Sequence, residues 1–263
     1  MEFKIKTLEP AGSIIWHVEQ SGKGPDIVLV PSGEGDCGSF DRVVSDLRSQ
    51  FRVTTFDTPG FSRSEISGEV EVSMVALGRQ VAQLLEALNI KNATVYGCSS
   101  AGLATLDLVV DYPHLVKQAV VHEAALPGGG EDSPLHNLAT LDDEGVSKAC
   151  AQLFAHLMNE DPKLWEDLGK DFHQRLWLNY PTWIRKYVTG IKHDPIDPAM
   201  LTDRPITWTI GGLFEARMFF SNVQLAHRAQ IEIGILPCKH FPQVSIPNIL
   251  AEHIRSAAVR SDA

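Results

Sequence analysis

Short apolar runs alternate with segments of helical periodicity in the first half of the chain, and this alternation constrains the fold more than any other feature. The predicted strands occupy residues 27–30, 52–56, 93–96 and 118–122. Residues 27–30 form a continuous apolar run, which is typical of a strand that is covered on both faces. Between the predicted strands, apolar side chains recur every three or four residues, as on a helix. The sequence therefore predicts an α/β fold with a mostly parallel central sheet flanked by helices.

The middle of the chain follows a different pattern. Three consecutive glycines at residues 128–130 end the alternation, and strand signals return only at residues 206–210. The intervening segment has mainly helical signals and contains the aromatic residues Trp165, Trp177, Tyr180, Trp183 and Tyr187. We therefore predict an α/β core formed by residues 1–127 and 201–263, and a helical cap inserted at residues 128–200. Such insertions often close over a substrate, whereas Trp165 and Trp177 are expected in the cap's own core.

Composition limits the partners that this chain can bind. With 263 residues, of which 44% are hydrophobic, a sizeable core needs neither disulfides nor metal. A formal net charge of −10 without a Lys/Arg cluster opposes binding to nucleic acid or anionic membranes. The four cysteines are scattered and form no CxxC pair, so no metal or redox motif is indicated. Without a signal peptide or an apolar span of about 20 residues, we expect a cytoplasmic protein with reduced thiols.

A run of small residues lies directly between the third of these predicted strands and the next helical segment, where a nucleophile elbow requires a sharp turn. Centred on Ser99, the flanking small residues are Gly97 and Ala101, so alanine replaces the usual last glycine. Ser99 is therefore the candidate nucleophile. A turn centred on Ser100 would come one residue late, and a thiol at Cys98 would point away from the apex of the turn.

A serine hydroxyl needs a base within hydrogen-bond reach. His240 lies between the last predicted strand and the last predicted helix, which is where the base belongs in the chain order serine, acid, histidine. His122, which ends a predicted strand beside an acidic residue, is the second candidate. For the acid, Glu123 and Glu215 both follow predicted strands between the serine and the base, and topology favours Glu215.

Stabilisation of a tetrahedral oxyanion needs two N–H donors. The amide of Ser100 is one candidate, because it would lie at the positive end of a helix. The loop at residues 31–35 is expected to supply the other, since Gly33 lets the backbone approach a substrate oxygen.

With these residues identified, the chain resembles the fungal zearalenone hydrolases, which open resorcylic acid lactones, over nearly its whole length. The resemblance rests on residues 24–31 and 51–57, Pro59-Gly60, Gly97-Cys98-Ser99-Ser100, His122-Glu123, Tyr180-Pro181-Thr182-Trp183, Leu236-Pro237 and His240-Phe241-Pro242. A Cys-Ser-Ser elbow combined with His-Glu is far more specific than a generic Gly-x-Ser-x-Gly. Residues 124–130 and 212–217 depart from the family, and both segments border the expected pocket.

The resemblance implies an α/β-hydrolase fold and a triad of Ser99, Glu123 and His240, and so selects Glu123 as the acid. It implies Gly33 and Ser100 as oxyanion donors, with neither metal nor organic cofactor. The implied substrate contacts are Ser32, Trp183, Tyr187 and Phe219.

The residues favour a serine hydrolase with an acyl-enzyme at Ser99, and the resemblance implies that it opens the ester of a resorcylic acid macrolactone. The alternatives are a carboxylesterase or carbon–carbon bond hydrolase with the same triad, or a small-molecule receptor without turnover, because fold alone does not fix function. The expected partner is a small-molecule lactone. The sequence leaves the oligomeric state open, and a homodimer is compatible with it.

Overall fold

A nine-stranded sheet forms the centre of the computed structural model, which describes residues 1–126, 134–189 and 194–260. Its strands in these residues are β1 (Glu2–Glu9), β2 (Ala11–Ser21), β3 (Asp26–Val30), β4 (Arg52–Phe56), β5 (Glu65–Glu69), β6 (Ala93–Cys98), β7 (Val116–His122), β8 (Ile206–Gly211) and β9 (Ile233–Leu236). The spatial order is β1-β2-β4-β3-β6-β7-β8-β9, and β5 pairs with β2.

Six of these strands form the parallel part of the sheet, from β4 through β3, β6, β7 and β8 to β9. The strands β1, β2 and β5 form an antiparallel edge. In β3 the four residues 27–30 are fully buried, and every residue of β6 is buried, which explains their continuous apolar sequences. The predicted mostly parallel sheet is therefore confirmed.

Helices flank the sheet as two packed pairs. The helices of the core are α1 (Asp41–Leu47), α2 (Met74–Ala87), α3 (Ser100–Asp111) and, near the chain end, α9 (Phe220–Arg228), α10 (Pro242–Ser245) and α11 (Pro247–Arg260). Helix α2 packs on α3, and α1 packs on α11, while both α3 and α11 contact β6 and β7. The start of α2 is fixed by Ser73, whose Oγ accepts the Ala76 N–H at 3.1 Å.

A helical segment connects β7 to β8. It contains α4 (Pro134–Leu138), α5 (Asp143–Gln152), α6 (Pro162–Glu166), α7 (Lys170–Thr182) and α8 (Pro198–Leu201), with π-helical turns at Leu153–Leu157 and Trp183–Val188. This segment occupies the place predicted for the inserted cap. The predicted cap boundary at residue 128 lies outside the described residues, so the exact division into core and cap stays a prediction.

The cap has an aromatic core around Phe154. Its ring lies 5.6 Å from that of Trp165, measured between centroids, and 5.1 Å from that of Tyr180. Trp165 is buried as expected, but the expectation for Trp177 is wrong, since it is 38% exposed. On α7 the buried side chains recur every four residues along one face, at Phe172, Leu176 and Tyr180. Trp177 lies beside that stripe and faces outward.

Candidate active site

Ser99 forms a strained turn between β6 and α3. Its backbone has φ 57° and ψ −123°, a conformation that costs a non-glycine residue about 1–3 kcal/mol. The surrounding backbone holds it there: the Ser99 N–H donates to the His122 carbonyl at 3.1 Å, and the Ser99 carbonyl accepts the Ala125 N–H at 2.9 Å. The side chain remains partly exposed at the end of a buried strand. This is the geometry of a nucleophile elbow.

Close packing explains the small residues around Ser99. A Cβ atom built on Gly97 would lie 2.1 Å from the Ala101 carbonyl oxygen and 2.4 Å from Thr105 Oγ1. Only glycine fits this position without displacing α3. Ala101 is fully buried, so its methyl group is accommodated where such elbows often have glycine.

Replacement of Gly97 by alanine should therefore destabilise the protein. We expect Gly97→Ala to lower the free energy of unfolding by roughly 1–3 kcal/mol, as overpacking of a core usually does. Gly234→Ala is the control, because Gly234 is exposed, lacks a positive φ, and its added Cβ would meet only the Thr209 methyl group at 3.2 Å and the Trp208 carbonyl at 3.8 Å. Urea unfolding of both variants measures the difference. A smaller loss for Gly97→Ala than for Gly234→Ala would contradict the packing argument.

A buried carboxylate–imidazole pair lies beside the elbow. His240 Nδ1 is 2.6 Å from Glu123 Oε2, and both side chains are almost completely buried. The other carboxylate oxygen, Oε1, accepts the Gly211 N–H at 2.7 Å. Because a carboxylate only accepts hydrogen bonds, Nδ1 of His240 carries the proton in this pair. Nε2 is then free to act as an acceptor when the imidazole is neutral.

Glycine at position 211 allows the histidine loop to approach the carboxylate. A Cβ on Gly211 would lie 2.3 Å from the Lys239 carbonyl oxygen and 2.6 Å from that of Cys238. The loop is also joined to the elbow, since Cys98 Sγ donates to the His240 carbonyl at 3.1 Å. The residue before Ser99 thus contacts the backbone of His240 directly.

The Ser99 hydroxyl itself makes no hydrogen bond to His240 among the described residues. Catalytic hydrogen bonds are often long or poorly aligned without substrate and shorten in the complex. The structure therefore brings His240 and Glu123 into direct contact, with Ser99 on the adjoining turn.

The topological preference for Glu215 does not fit the structure. Glu215 is exposed, and its carboxylate accepts the Arg217 Nε–H at 2.6 Å. The carboxylate that contacts His240 comes from the end of β7 rather than from the end of β8. Glu123 reaches it through a left-handed backbone conformation, φ 43°, which the sequence did not indicate.

The alternative base, His122, and the alternative nucleophile, Cys98, are both fully buried. His122 is fully buried, its Nδ1 lies 2.9 Å from Thr209 Oγ1, and burial lowers its pKa to about 4. Burial raises the pKa of the Cys98 thiol well above its usual value. A protonated thiol is a weak nucleophile, so neither residue suits the role of the exposed elbow serine and its base.

The candidate oxyanion loop is covered by the cap. Gly33 packs against the indole of Trp183, because a Cβ on Gly33 would lie 2.3 Å from Trp183 Nε1. The adjacent Ser32 is buried, and its carbonyl accepts the Gly35 N–H at 3.0 Å, which closes the turn. Ser100, the first residue of α3, presents its amide at the positive end of a 12-residue helix.

The predicted pocket residues differ in their placement. The ring of Phe219 stacks on the imidazole of His240 at a centroid distance of 5.0 Å and an interplanar angle of 11°. Trp183 lies on Gly33, as described above. Tyr187 is almost fully buried and packs edge-on against Phe61 at 5.3 Å, so its ring forms part of the cap–core contact.

Comparison with known proteins places the chain in a family. A family model for the α/β hydrolase fold matches residues 25–148. The zearalenone hydrolase of Bionectria ochroleuca is 40% identical over 254 residues, which cover 94% of this chain and 95% of the relative. The zearalenone hydrolase of Cladophialophora bantiana is 36% identical over 257 residues, with 94% of each chain covered.

The chain belongs to the zearalenone hydrolase family.

Solved structures support the fold assignment. An esterase from Thermogutta terrifontis superposes with a TM-score of 0.73 at 17% identity and covers 100% of both chains. The Bacillus subtilis carboxylesterase CesB superposes with a TM-score of 0.74 at 15% identity and covers 97% of this chain and 91% of that one. The predicted α/β-hydrolase fold and the resemblance to zearalenone hydrolases are thus confirmed.

Three side chains of metal-ligating types, His17, Glu19 and Cys37, lie close together. Their ligand atoms lie within 4.8 Å of one another. The guanidinium of Arg63 already donates to Glu19 at 3.1 Å and to Cys37 Sγ at 3.2 Å, and it also pairs with Asp57 at 2.7 Å. The positive charge of Arg63 therefore already neutralises the cluster, which is better described as a partly exposed ion-pair network.

No helix in the described part of the chain has the length and apolar character needed to cross a bilayer. All four cysteines, at positions 37, 98, 150 and 238, are buried free thiols.

Sequence reasoning missed Glu34, which follows Gly33 in the candidate oxyanion loop. Its carboxyl group is buried, and its Oε1 accepts the Ser39 hydroxyl at 3.0 Å, while Oε2 has no partner among the described residues. Burial raises the pKa of this carboxyl to about 7. Its backbone carbonyl accepts the Asn179 side-chain amide at 2.8 Å, which joins the loop to the cap.

Glu34 should make the stability of the protein depend on pH. Its pKa is raised in the folded state from 4.5 to about 7, so ionisation favours the unfolded chain as pH rises through this interval. We expect Glu34→Gln to become more stable relative to wild type between pH 5 and pH 8, by up to roughly 3 kcal/mol. Urea unfolding at both pH values measures this change, with the exposed Glu215→Gln as control. A difference that stays constant across this range would refute the prediction.

Proposed function

We propose that this enzyme hydrolyses the ester of a zearalenone-type resorcylic acid lactone, with Ser99 as nucleophile, His240 as base and Glu123 as the acid of the triad. The observation that carries the proposal is the 2.6 Å contact between the buried Glu123 and His240 side chains next to a strained serine turn. Relatives that are 36–40% identical over 94% of the chain, both zearalenone hydrolases, support the substrate class.

Attack on the lactone begins with proton transfer. His240 Nε2 takes the hydroxyl proton as Ser99 Oγ forms a bond to the ester carbonyl carbon. Negative charge then develops on the carbonyl oxygen, and the amides of Gly33 and Ser100 stabilise it. A well-placed donor of this kind contributes about 3–4 kcal/mol to transition-state stabilisation. Glu123 stabilises the imidazolium through its bond to Nδ1 and holds the ring in the required tautomer.

Collapse of the intermediate opens the ring. The bond between the carbonyl carbon and the alkoxy oxygen breaks, and the imidazolium of His240 gives its proton to that oxygen. The substrate remains attached to Ser99 as an acyl group whose other end carries the new hydroxyl. Water activated by His240 then attacks the acyl carbon and releases a hydroxy acid and the free serine. None of these steps requires a metal or an organic cofactor.

The pocket proposed for the substrate lies between the core and the cap of residues 128–200. A resorcylate macrolactone is large and mostly apolar, so transfer from water onto aromatic walls supplies binding free energy. Phe219 on the base side and Trp183 on the oxyanion side are suited to form those walls, and Trp183 also offers an N–H donor. We include Ser32 and Tyr187 as further substrate contacts.

Product analysis tests the proposal. Incubation of the purified protein with zearalenone should yield the ring-opened hydroxy acid, identified by mass spectrometry, at many equivalents per enzyme. Product limited to one equivalent would indicate a receptor rather than an enzyme. Hydrolysis of simple aryl esters with zearalenone left intact would favour the carboxylesterase alternative instead. Cytoplasmic location stays a prediction, to be tested by fractionation, and light scattering would determine the oligomeric state, with which a homodimer is compatible.

A further inference from the structure

The loop that carries His240 makes hydrogen bonds to the cap as well as to the core. We call residues 156–160 of the cap the clamp turn; it begins within the π-helical turn Leu153–Leu157. Four hydrogen bonds join the loop to this turn: His240 N–H to the Met158 carbonyl at 3.1 Å, Lys239 N–H to Glu160 Oε1 at 2.6 Å, and Lys239 Nζ to the carbonyls of His156 at 3.0 Å and Asn159 at 3.1 Å.

The Lys239 ammonium group donates hydrogen bonds to backbone carbonyls at and just beyond the end of the π-helical turn. Carbonyls at the end of a helix have no partner within the helix, and a positive charge there is favourable. Lys239 donates to the carbonyl of His156 in this turn and to that of Asn159, two residues beyond its end. The turn is further fixed by Asn159, whose side-chain amide donates to the Phe154 carbonyl at 2.7 Å. A π-helical turn is rare and occurs often at functional sites.

Aromatic contacts connect the His240 loop to the candidate oxyanion loop at Gly33. The ring of Phe241 lies 5.4 Å from Phe154 and stacks on Trp165 at 6.1 Å. Phe154 in turn contacts Trp183 edge-on at 5.0 Å. Since Trp183 covers Gly33, one buried ring lies between the base loop and the candidate oxyanion loop. The position of the cap is thereby linked to both.

We propose that the clamp turn positions the catalytic base, with Lys239 and Glu160 as positioning residues that act through the backbone of His240. The proposal rests on the function proposed above. Two contacts from the core, those of Glu123 and Cys98, reach the imidazole and the carbonyl of His240, whereas the clamp turn holds its amide. Orientation matters because a misplacement of about 1 Å at a reacting group costs on the order of a hundredfold in rate.

Lysine variants give the first test. We expect Lys239→Met to lower kcat at least tenfold while KM changes less than twofold, because the apolar stem remains and only the two carbonyl bonds are lost. Lys239→Arg should recover most of the activity, since its guanidinium can also donate to two carbonyls. Lys163→Met is the matched control, as it removes the same charge from an exposed position on the cap. Wild-type kcat for Lys239→Met, or equal losses in the Met and Arg variants, would overturn the proposal.

Glutamate variants provide an independent test if Lys239→Met fails to fold. Glu160→Gln keeps an oxygen that accepts the Lys239 N–H, whereas Glu160→Ala removes it. We expect Glu160→Ala to lose kcat at least fivefold and Glu160→Gln to retain most of it. Equal kcat values for the two variants would show that the contact does not position the base.

A spectroscopic measurement separates this proposal from the proposed function. The proton between His240 Nδ1 and Glu123 should give a low-field ¹H resonance that disappears in His240→Ala and needs no substrate. We expect it to shift or broaden in Lys239→Met and to stay in place in Lys163→Met; an unchanged signal in both would contradict the positioning role. Failure of the proposed function would instead appear as wild-type enzyme that does not turn over zearalenone.

Discussion

Ser99→Ala should lower kcat for zearalenone ring opening by roughly 10⁴–10⁶-fold, among the largest losses expected of a single substitution in this chain. The substitution removes the oxygen that forms the acyl-enzyme and leaves the strained turn and the buried Glu123–His240 pair in place. Initial rates measured by liquid chromatography over a range of substrate concentrations provide kcat and KM. KM should change little, because binding depends on the pocket.

Two neighbouring positions serve as comparators for Ser99→Ala. Ser100→Ala keeps the backbone amide and removes a hydroxyl that makes no hydrogen bond among the described residues, so it should lose less than about tenfold. Cys98→Ala removes a buried thiol that contacts the His240 carbonyl and should have an intermediate effect. Ring opening by Ser99→Ala at the wild-type rate would exclude the assigned nucleophile.

Glu123→Gln should lower kcat by roughly 10³–10⁴-fold, whereas Glu215→Gln should stay close to wild type. The amide at position 123 carries no charge to stabilise the imidazolium, and its NH₂ group can turn the imidazole to the wrong tautomer. Glu215 is exposed and paired with Arg217, so its charge does not act on His240. Steady-state kinetics of both variants, with thermal unfolding to establish that each is folded, decide the question. The opposite ranking would assign the acid to the end of β8.

The sequence was sufficient for the features that local pattern controls. Fully buried strands such as β3 have continuous apolar sequences, and a sharp turn after β6 requires glycine at position 97, because a Cβ there would collide with α3. The place of His240 followed from chain order alone. The buried strands and the sharp turn could be predicted because each depends on residues that are close together in the sequence.

The carboxylate that contacts His240 could not be chosen from the pattern, because Glu123 and Glu215 both follow strands that end at the same edge of the sheet. Side-chain direction decides between them, and it depends on a left-handed backbone at Glu123 and on the N–H of Gly211, which lies 88 residues away. The contact between the clamp turn and the His240 loop could not be predicted from the sequence for the same reason. Its hydrogen bonds join Lys239 to residues about 80 positions earlier, and no local signal marks them.

Trp177, which was expected to be buried, and Glu34, for which the sequence indicated no role, show where tertiary contacts override local pattern. Trp177 is aromatic and lies in a helical cap, yet it lies beside the buried stripe of α7 and is exposed. Glu34 has an ionisable side chain and lies in a glycine-rich loop, yet its carboxyl group is buried and accepts the Ser39 hydroxyl. Each result depends on elements that pack from distant parts of the sequence.

Covalent trapping tests the central claim most directly. A fluorophosphonate ester should modify the wild-type protein with one equivalent, and peptide mass spectrometry should locate the adduct on Ser99. His240→Ala and Glu123→Gln should slow the modification strongly, because the serine oxygen is then no longer activated. An adduct on Ser100 or Cys98, or labelling at the same rate without His240, would contradict the account.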